Sequence, residues 1–317
     1  VAKGIQGLRI GQVTDSHHHT GCTVILAEEG TVAGVDVRGG APGTHGIDAL
    51  RPGNLVDRLH AVVLTGGSAF GLVTVHGVMR YLRERNRGFV TGYGVVPIVS
   101  GAVVFDLGLN RSEPLLPDAD MGYQACLTAV PEAATQGCVG AGTGATVGKL
   151  FGLARAMKGG QGFASLETGY GLKLWALAVV NAFGDVRDPH IGRLLAGART
   201  EDGTRLADAA ACLSEMGRLR GFVSQNTVLG VVATNAALDR AQATRVAQMA
   251  HDGIARAVVP AHTLYDGDTV FALCTGTFGG AEVTVVGALA AQLMAQAIVN
   301  AVRYAVGAEG LPAHRDL

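Results

Sequence analysis

Apolar positions along the chain fall into short β-branched runs and longer helical stripes. Residues 23–27, 32–37 and 61–65 are apolar runs that stop at acidic or glycine clusters, and they read as strands. Between the second and third lies RGGAPGT (38–44), a loop by composition. Residues 95–99 and 102–105 are two further short β candidates. Runs 163–167 and 172–181 flank Gly169-Tyr170-Gly171 and predict a hairpin, whose nearly unbroken apolar second member implies a strand covered on both faces. Residues 227–233 read the same way, and 269–274 follow an Asp266-Gly267-Asp268 turn.

Helical spacing is found elsewhere. Ser68 is placed to cap a helix running to about Arg85. Helices are also predicted over 119–129, 206–216 and 285–302. Asp239 and Gln242 are spaced as a capping box for a helix reaching about Arg256. No linker, charge block or regular repeat divides the chain, so we expect one domain over 1–317, with helices outside and two sheets inside.

Composition adds to this picture. Only 16% of residues are charged, against about 25% in an average globular chain, and mean hydropathy is +0.30. So little charge leaves a monomer short of polar cover and implies subunit contacts. Net charge is −1 and no arginine-rich run occurs, which argues against a nucleic-acid partner. The five cysteines are widely spaced without a C-x-x-C pair, and the first residues lack an apolar signal core; both fit a cytoplasmic chain. The 285–302 helix carries Gln292, Gln296 and Asn300 on one stripe, continued by Arg303, so we expect it to be buried in protein rather than in a membrane.

Several motifs are decoys. Gly66-Gly67-Ser68-Ala69-Phe70 lacks the second glycine of a nucleophile elbow. Residues 140–145 match a dinucleotide fingerprint but have no acidic residue at the ribose distance. Gly148-Lys149-Leu150 lacks the hydroxyl of a phosphate loop. His17-His18-His19 places consecutive rings on opposite sides of the backbone, and Asp266-Gly267-Asp268 is too short for a calcium loop. No cofactor and no metal is expected.

The chemistry centres on Asn226-Thr227, where a polar tip, Ser224-Gln225-Asn226, meets a buried strand. From these residues alone, Thr227 is either an ordinary strand opener or a nucleophile held rigidly by the strand behind it. Lys149, Asn181, Asp266 and Asp268 likewise stand at abrupt polar–apolar boundaries. In order along the chain occur VDVRGG (35–40), LTGGSAFG (64–71), 140–149, Val179-Val180-Asn181, Asn226-Thr227 with VVATN (231–235), and DGDTVF (266–271). Together these resemble the L-aminopeptidase/D-esterase (DmpA-like) family, which includes β-peptidyl aminopeptidases and the nylon-oligomer hydrolase NylC.

The resemblance implies an α+β fold, a four-layer αββα sandwich, that cuts itself between Asn226 and Thr227 into pieces of 226 and 91 residues. It implies Thr227 as nucleophile with its freed amine as general base. Lys149, Asn181, Asp266 and Asp268 would be supporting catalytic groups, and Gly66, Gly67, Ser68 and Phe105 would line the substrate site. It also implies a homo-oligomer, often a tetramer in the family, acting on a small amide or peptide. The aminopeptidase members resemble one another in a Glu and a Tyr after a Pro-(Ile/Val)-Val segment. Here that stretch is PIVSGAVVFD (97–106), with no Glu and with Phe105 in place of Tyr. We therefore expect a preference for amides without a positive amine near the scissile bond. The competing readings are an uncleaved binding or scaffold protein on the same fold and a nucleotide-dependent enzyme using residues 140–149.

Overall fold

The computed structural model describes residues 4–109, 115–216, 226–308 and 310–317. Eight strands build its two main faces: β1 (Arg9–Asp15), β2 (Thr20–Val37), β3 (Leu59–Thr65), β4 (Val99–Val103), β5 (Gly160–Glu167), β6 (Lys173–Asn181), β7 (Thr227–Ala236) and β8 (Thr269–Phe278). The helices are α1 (Thr74–Glu84), α2 (Ala119–Leu127), α3 (Ala209–Met216), α4 (Arg240–Ala257) and α5 (Val283–Tyr304). One hydrogen-bonded path runs β5-β6-β7-β8-β2-β3-β4, with β1 pairing β2. β7 and β8 are parallel, as are β3 and β4; the other neighbours on the path are antiparallel.

β2 turns that path into two packed layers. Its first half pairs β1 and β3, and its second half pairs β8. The register with β3 shifts between Leu26 and Thr31, where Gly30 takes φ +77°, a conformation glycine reaches without a Cβ penalty. The two runs predicted at 23–27 and 32–37 are therefore one bent strand, because the intervening acidic residues sit on a bulge and not in a turn. β1 had not been foreseen, since RIGQVTD lacks a clear alternation.

Alternation along each strand sorts side chains into three cores. Ile25, Val62, Leu64, Trp175, Leu177, Val179, Leu229 and Val231 fill the space between the sheets. Val24, Leu26, Ala61 and Val63 face α1 and α2. Ala176, Ala178, Val180, Val228 and Val232 face α4 and α5. The result is the expected αββα sandwich. β6 and β7 are buried on both faces, which is why neither shows a polar alternation.

The α4 capping box forms as expected: Gln242 N–H donates to Asp239 Oδ1 at 2.8 Å and Gln242 Oε1 accepts from Asp239 N–H at 3.0 Å. α5 is long and apolar enough to cross a membrane, but 67% of its most apolar window is buried within the protein, and Asn300 Nδ2 donates to Phe163 O at 2.8 Å. Other expectations are corrected. α3 starts at Ala209, not 206. Residues 94–96 pair with Phe89–Thr91 in a separate small hairpin, so 95–99 is not one strand. Ser68 does not cap a helix with its side chain: the N-cap is Gly67 at φ +79°, and Ser68 begins a 3-10 turn, Ser68–Val73, ahead of α1.

Candidate active site

Thr227 is the first residue of β7 and is 5% exposed. Pairing of β6 with β7 places Asn181 directly opposite it. On its other side, Asn226 forms a parallel bridge with Asp266: Asn226 N–H donates to Tyr265 O at 2.9 Å, and Gly267 N–H donates to Asn226 O at 2.8 Å. The Thr227 hydroxyl also donates to that same carbonyl of Asn226. The peptide bond preceding Thr227 is thus fixed in orientation, with its own hydroxyl and one backbone donor at its oxygen. The rest of the predicted polar tip, Ser224 and Gln225, lies outside the described residues.

Gly267 has no room for a side chain. A Cβ there would lie 2.8 Å from Thr227 Oγ1 and 2.7 Å from Ala41 O. The Asp-Gly-Asp triplet predicts only a turn, because it carries no sign of what lies over its glycine. The 38–41 loop is stitched onto this segment: Arg38 N–H donates to Asp268 O at 3.0 Å, and Ala41 N–H donates to Asp266 O at 2.8 Å.

The two aspartates divide their tasks. Asp268 Oδ1 accepts from Val228 N–H at 2.7 Å, next to the nucleophile candidate. Its Oδ2 accepts from His262 N–H at 3.0 Å and lies 2.8 Å from His262 Nδ1. Asp266 Oδ1 accepts from Phe183 N–H at 3.2 Å, and its Oδ2 accepts from Thr263 N–H at 3.1 Å. Burial, reinforced by the charge of Asp268, pushes the Asp266 carboxyl up to about 6.

Lys149 is 4% exposed and donates from Nζ to Asn181 Oδ1 at 2.8 Å and to Asn181 O at 3.0 Å. Burial pulls its ammonium down to about 7, against the opposing pull of Asp266 and then Asp106. Thr146 N–H also donates to Asn181 Oδ1, at 3.0 Å. Two unambiguous donors on Oδ1 fix which end of the amide is nitrogen. That nitrogen donates to Phe105 O at 3.0 Å. Asn181 therefore spends one amide hydrogen on bracing Phe105, a use not foreseen, and retains its second.

Phe105 thus enters the centre through its backbone carbonyl. Gly66, Gly67 and Ser68 are one step further out: Gly67 N–H donates to Asp106 Oδ1 at 2.7 Å, a Cβ on Gly66 would strike Asp106, and Ser68 N–H donates to Val104 O at 3.0 Å. Asp106 also accepts from Thr20 Oγ1 at 2.8 Å, and burial raises its carboxyl above the usual range. The Gly-Gly-Ser turn therefore supports the 104–106 segment that reaches Asn181. Among the described residues, no group of three or more His, Cys, Asp or Glu side chains is placed to hold a metal ion. A groove of about 730 Å³ lined by Ile5, Leu8, Arg9, Glu28 and Glu132, among others, shares no residue with this centre.

Residues 3–315 match the model of peptidase family S58, and the chain belongs to that family. It is a hydrolase of peptide or other amide bonds. An uncharacterised aminopeptidase of Mycobacterium tuberculosis is 43% identical over 316 residues, spanning 94% of this chain and 89% of that protein. A 6-aminohexanoate-oligomer endohydrolase of a Kocuria species is 30% identical over 311 residues, spanning 94% and 84%. The solved L-aminopeptidase D-Ala-esterase/amidase of Ochrobactrum anthropi, described as a variant of the Ntn hydrolase fold, superposes with a TM-score of 0.70 at 19% identity, covering 98% of this chain and 90% of its own; this likeness is one of fold.

Proposed function

We propose that the chain splits its own backbone between Asn226 and Thr227 and then hydrolyses amides with Thr227 as nucleophile and its freed α-amine as general base. The observation that carries this reading is the convergence on one carbonyl: the Thr227 hydroxyl and Gly267 N–H both meet Asn226 O. In the intact chain, Thr227 Oγ bonds to the Asn226 carbonyl carbon as its proton leaves. The tetrahedral oxygen keeps the Gly267 donor. The C–N bond to Thr227 breaks, the nitrogen takes a proton, and the resulting ester is opened by water to an Asn226 carboxylate and a free Thr227.

In the cut enzyme, the α-amine accepts the Thr227 hydroxyl proton; such amines titrate near 7.7–8.0, close to working pH. The hydroxyl attacks the substrate carbonyl, the amide C–N bond breaks, and the proton passes to the leaving amine. Water then hydrolyses the acyl-Thr227 ester. We assign the second N–H of Asn181, opposite Thr227, to the developing oxyanion, and Lys149 to holding Asn181. Asp268 holds the Val228 amide beside the nucleophile.

For substrate, we favour amides that present no ammonium beside the scissile bond. Val103 and Val104 are buried and apolar, and Phe105 offers no hydroxyl. A homo-oligomer is consistent with the low charge content and with exposed Val90 and Tyr93 on the small hairpin. Denaturing mass spectrometry of wild type and Thr227→Ala, with amide turnover read in parallel, tests the reading. We expect two pieces and activity for the wild type, and one inactive 317-residue chain for the variant. An uncut, inactive wild type would favour the scaffold reading.

A further inference from the structure

We infer that His262, through Asp268, is a positioning residue that becomes decisive once the chain is cut; this rests on the function proposed above. Three donors reach the Asp268 carboxylate in the contacts described, and two belong to His262: its backbone N–H at 3.0 Å and its ring Nδ1 at 2.8 Å, both on Oδ2. In bonding one oxygen twice, His262 adopts φ 55°, a left-handed conformation uncommon for residues with a Cβ, though one that His takes more readily than most. The neighbouring fold holds it there. Its ring packs edge-to-face on His251, with centroids 4.9 Å apart. His251 is fully buried on α4, and its Nε2 lies 3.1 Å from Asp36 O on β2.

The consequence lies at β7. Before cleavage, the backbone around Thr227 is tied on both sides, by the Asn226 bridge to Tyr265 and Gly267 and by Val228 N–H on Asp268 Oδ1. Cleavage removes the covalent tie on the Asn226 side. Thr227 then becomes a chain end, and chain ends fray unless they are held. Of the ties that remain, the Val228–Asp268 bond and the strand pairing of Thr227 to Asn181 are those nearest the nucleophile, since the ladder to β8 begins only at Leu229. A carboxylate free to rotate does this poorly, and His262 stops the rotation.

The test is His262→Ala and His262→Asn in the full chain, the asparagine amide restoring a donor near the place of Nδ1. Self-cleavage is followed by mass spectrometry, turnover of the cut enzyme by kcat and KM, and folding by thermal melting. We expect His262→Ala to be cut within a few fold of the wild-type rate. Its kcat should fall by about 10- to 100-fold with KM little changed, as for loss of a hydrogen bond to a charged group. His262→Asn should recover most of that kcat. A cut, active wild type matched in kcat by His262→Ala overturns the inference, as does an equal loss in both variants that follows their melting temperatures. A wild type that is never cut overturns instead the function on which it rests, and the inference with it.

Discussion

Asn181 and Thr227 are cross-strand partners, and Lys149 Nζ clamps Asn181 from behind at 2.8 Å and 3.0 Å. The clamp fixes the amide whose remaining N–H is assigned to the oxyanion. Asn181→Ala is therefore expected to lower kcat by about 100- to 1,000-fold, the usual cost of removing an oxyanion donor. Steady-state kinetics on the cut enzyme measures it. A loss confined to KM would remove Asn181 from that role.

Gly267 tests the self-cleavage geometry separately. A methyl group at this position would stand 2.8 Å from Thr227 Oγ1 and displace the hydroxyl from the Asn226 carbonyl. We expect Gly267→Ala to fold yet stay largely as one chain on denaturing gels, with cutting slowed by at least about tenfold, or 1.4 kcal/mol of misplacement. Normal processing in this variant would show that the hydroxyl does not need that position.

Lys149 predicts a stability profile. Unfolded, it holds its proton up to 10.5; folded, it releases it at about 7. Between those values the unfolded chain binds the extra proton, so folding stability rises with pH, and the full cost of burying the charge is present at pH 7 and below. Lys149→Met lacks this dependence. Its stability relative to wild type should be greatest near pH 7 and decline by up to about 5 kcal/mol toward pH 10.5, at 1.36 kcal/mol per unit. Urea unfolding across that range checks the sign.

His251 governs the acid side. Burial, first among its causes, holds the ring down to about 4 from 6.5. As pH falls through that window the unfolded chain gains a proton that the folded chain refuses, so stability is lost. Wild type should lose on the order of 3 kcal/mol more than His251→Gln between pH 6.5 and 4, at 1.36 kcal/mol per unit. Equal acid sensitivity of the two would place the titration elsewhere.

Substrate preference is open to direct measurement. On the proposed reading of Val103, Val104 and Phe105, kcat/KM on N-blocked or oligoamide substrates should exceed that on L-aminoacyl anilides by about tenfold or more, roughly one unpaired polar contact. The reverse order would mean that another group receives the ammonium.

Local pattern alone left Thr227 as either a strand opener or a nucleophile; it was the family resemblance that grouped it with Asn181, Lys149, Asp266 and Asp268, which the fold brings near one another. The hairpin at Gly169–Gly171 and the capping box at Asp239 were legible because their signals are local. What escaped was non-local or conformational. His262 matters because of a backbone dihedral and of a carboxylate six residues away. Gly267 matters because of the hydroxyl above it. Asp106 lies just past the predicted 102–105 strand with no signal of its own, yet it joins Gly67 to the Phe105 segment. Its residue type makes Ser68 a candidate cap, but Gly67 supplies the left-handed turn that starts the 3-10 segment ahead of α1.

The order of strands sets what a break at Thr227 would leave behind. β7 lies between β6 and β8, and β8 lies between β7 and β2. The β7–β8 pair of the 91-residue piece would thus lie between β6 and β2 of the 226-residue piece, and α4 and α5 cover that shared sheet. The two halves would stay held together, so a cut there would release nothing. Refolding after full denaturation, however, would change from a unimolecular search to an encounter between two molecules, slower the more dilute they are, so that such a cut would be a one-way step.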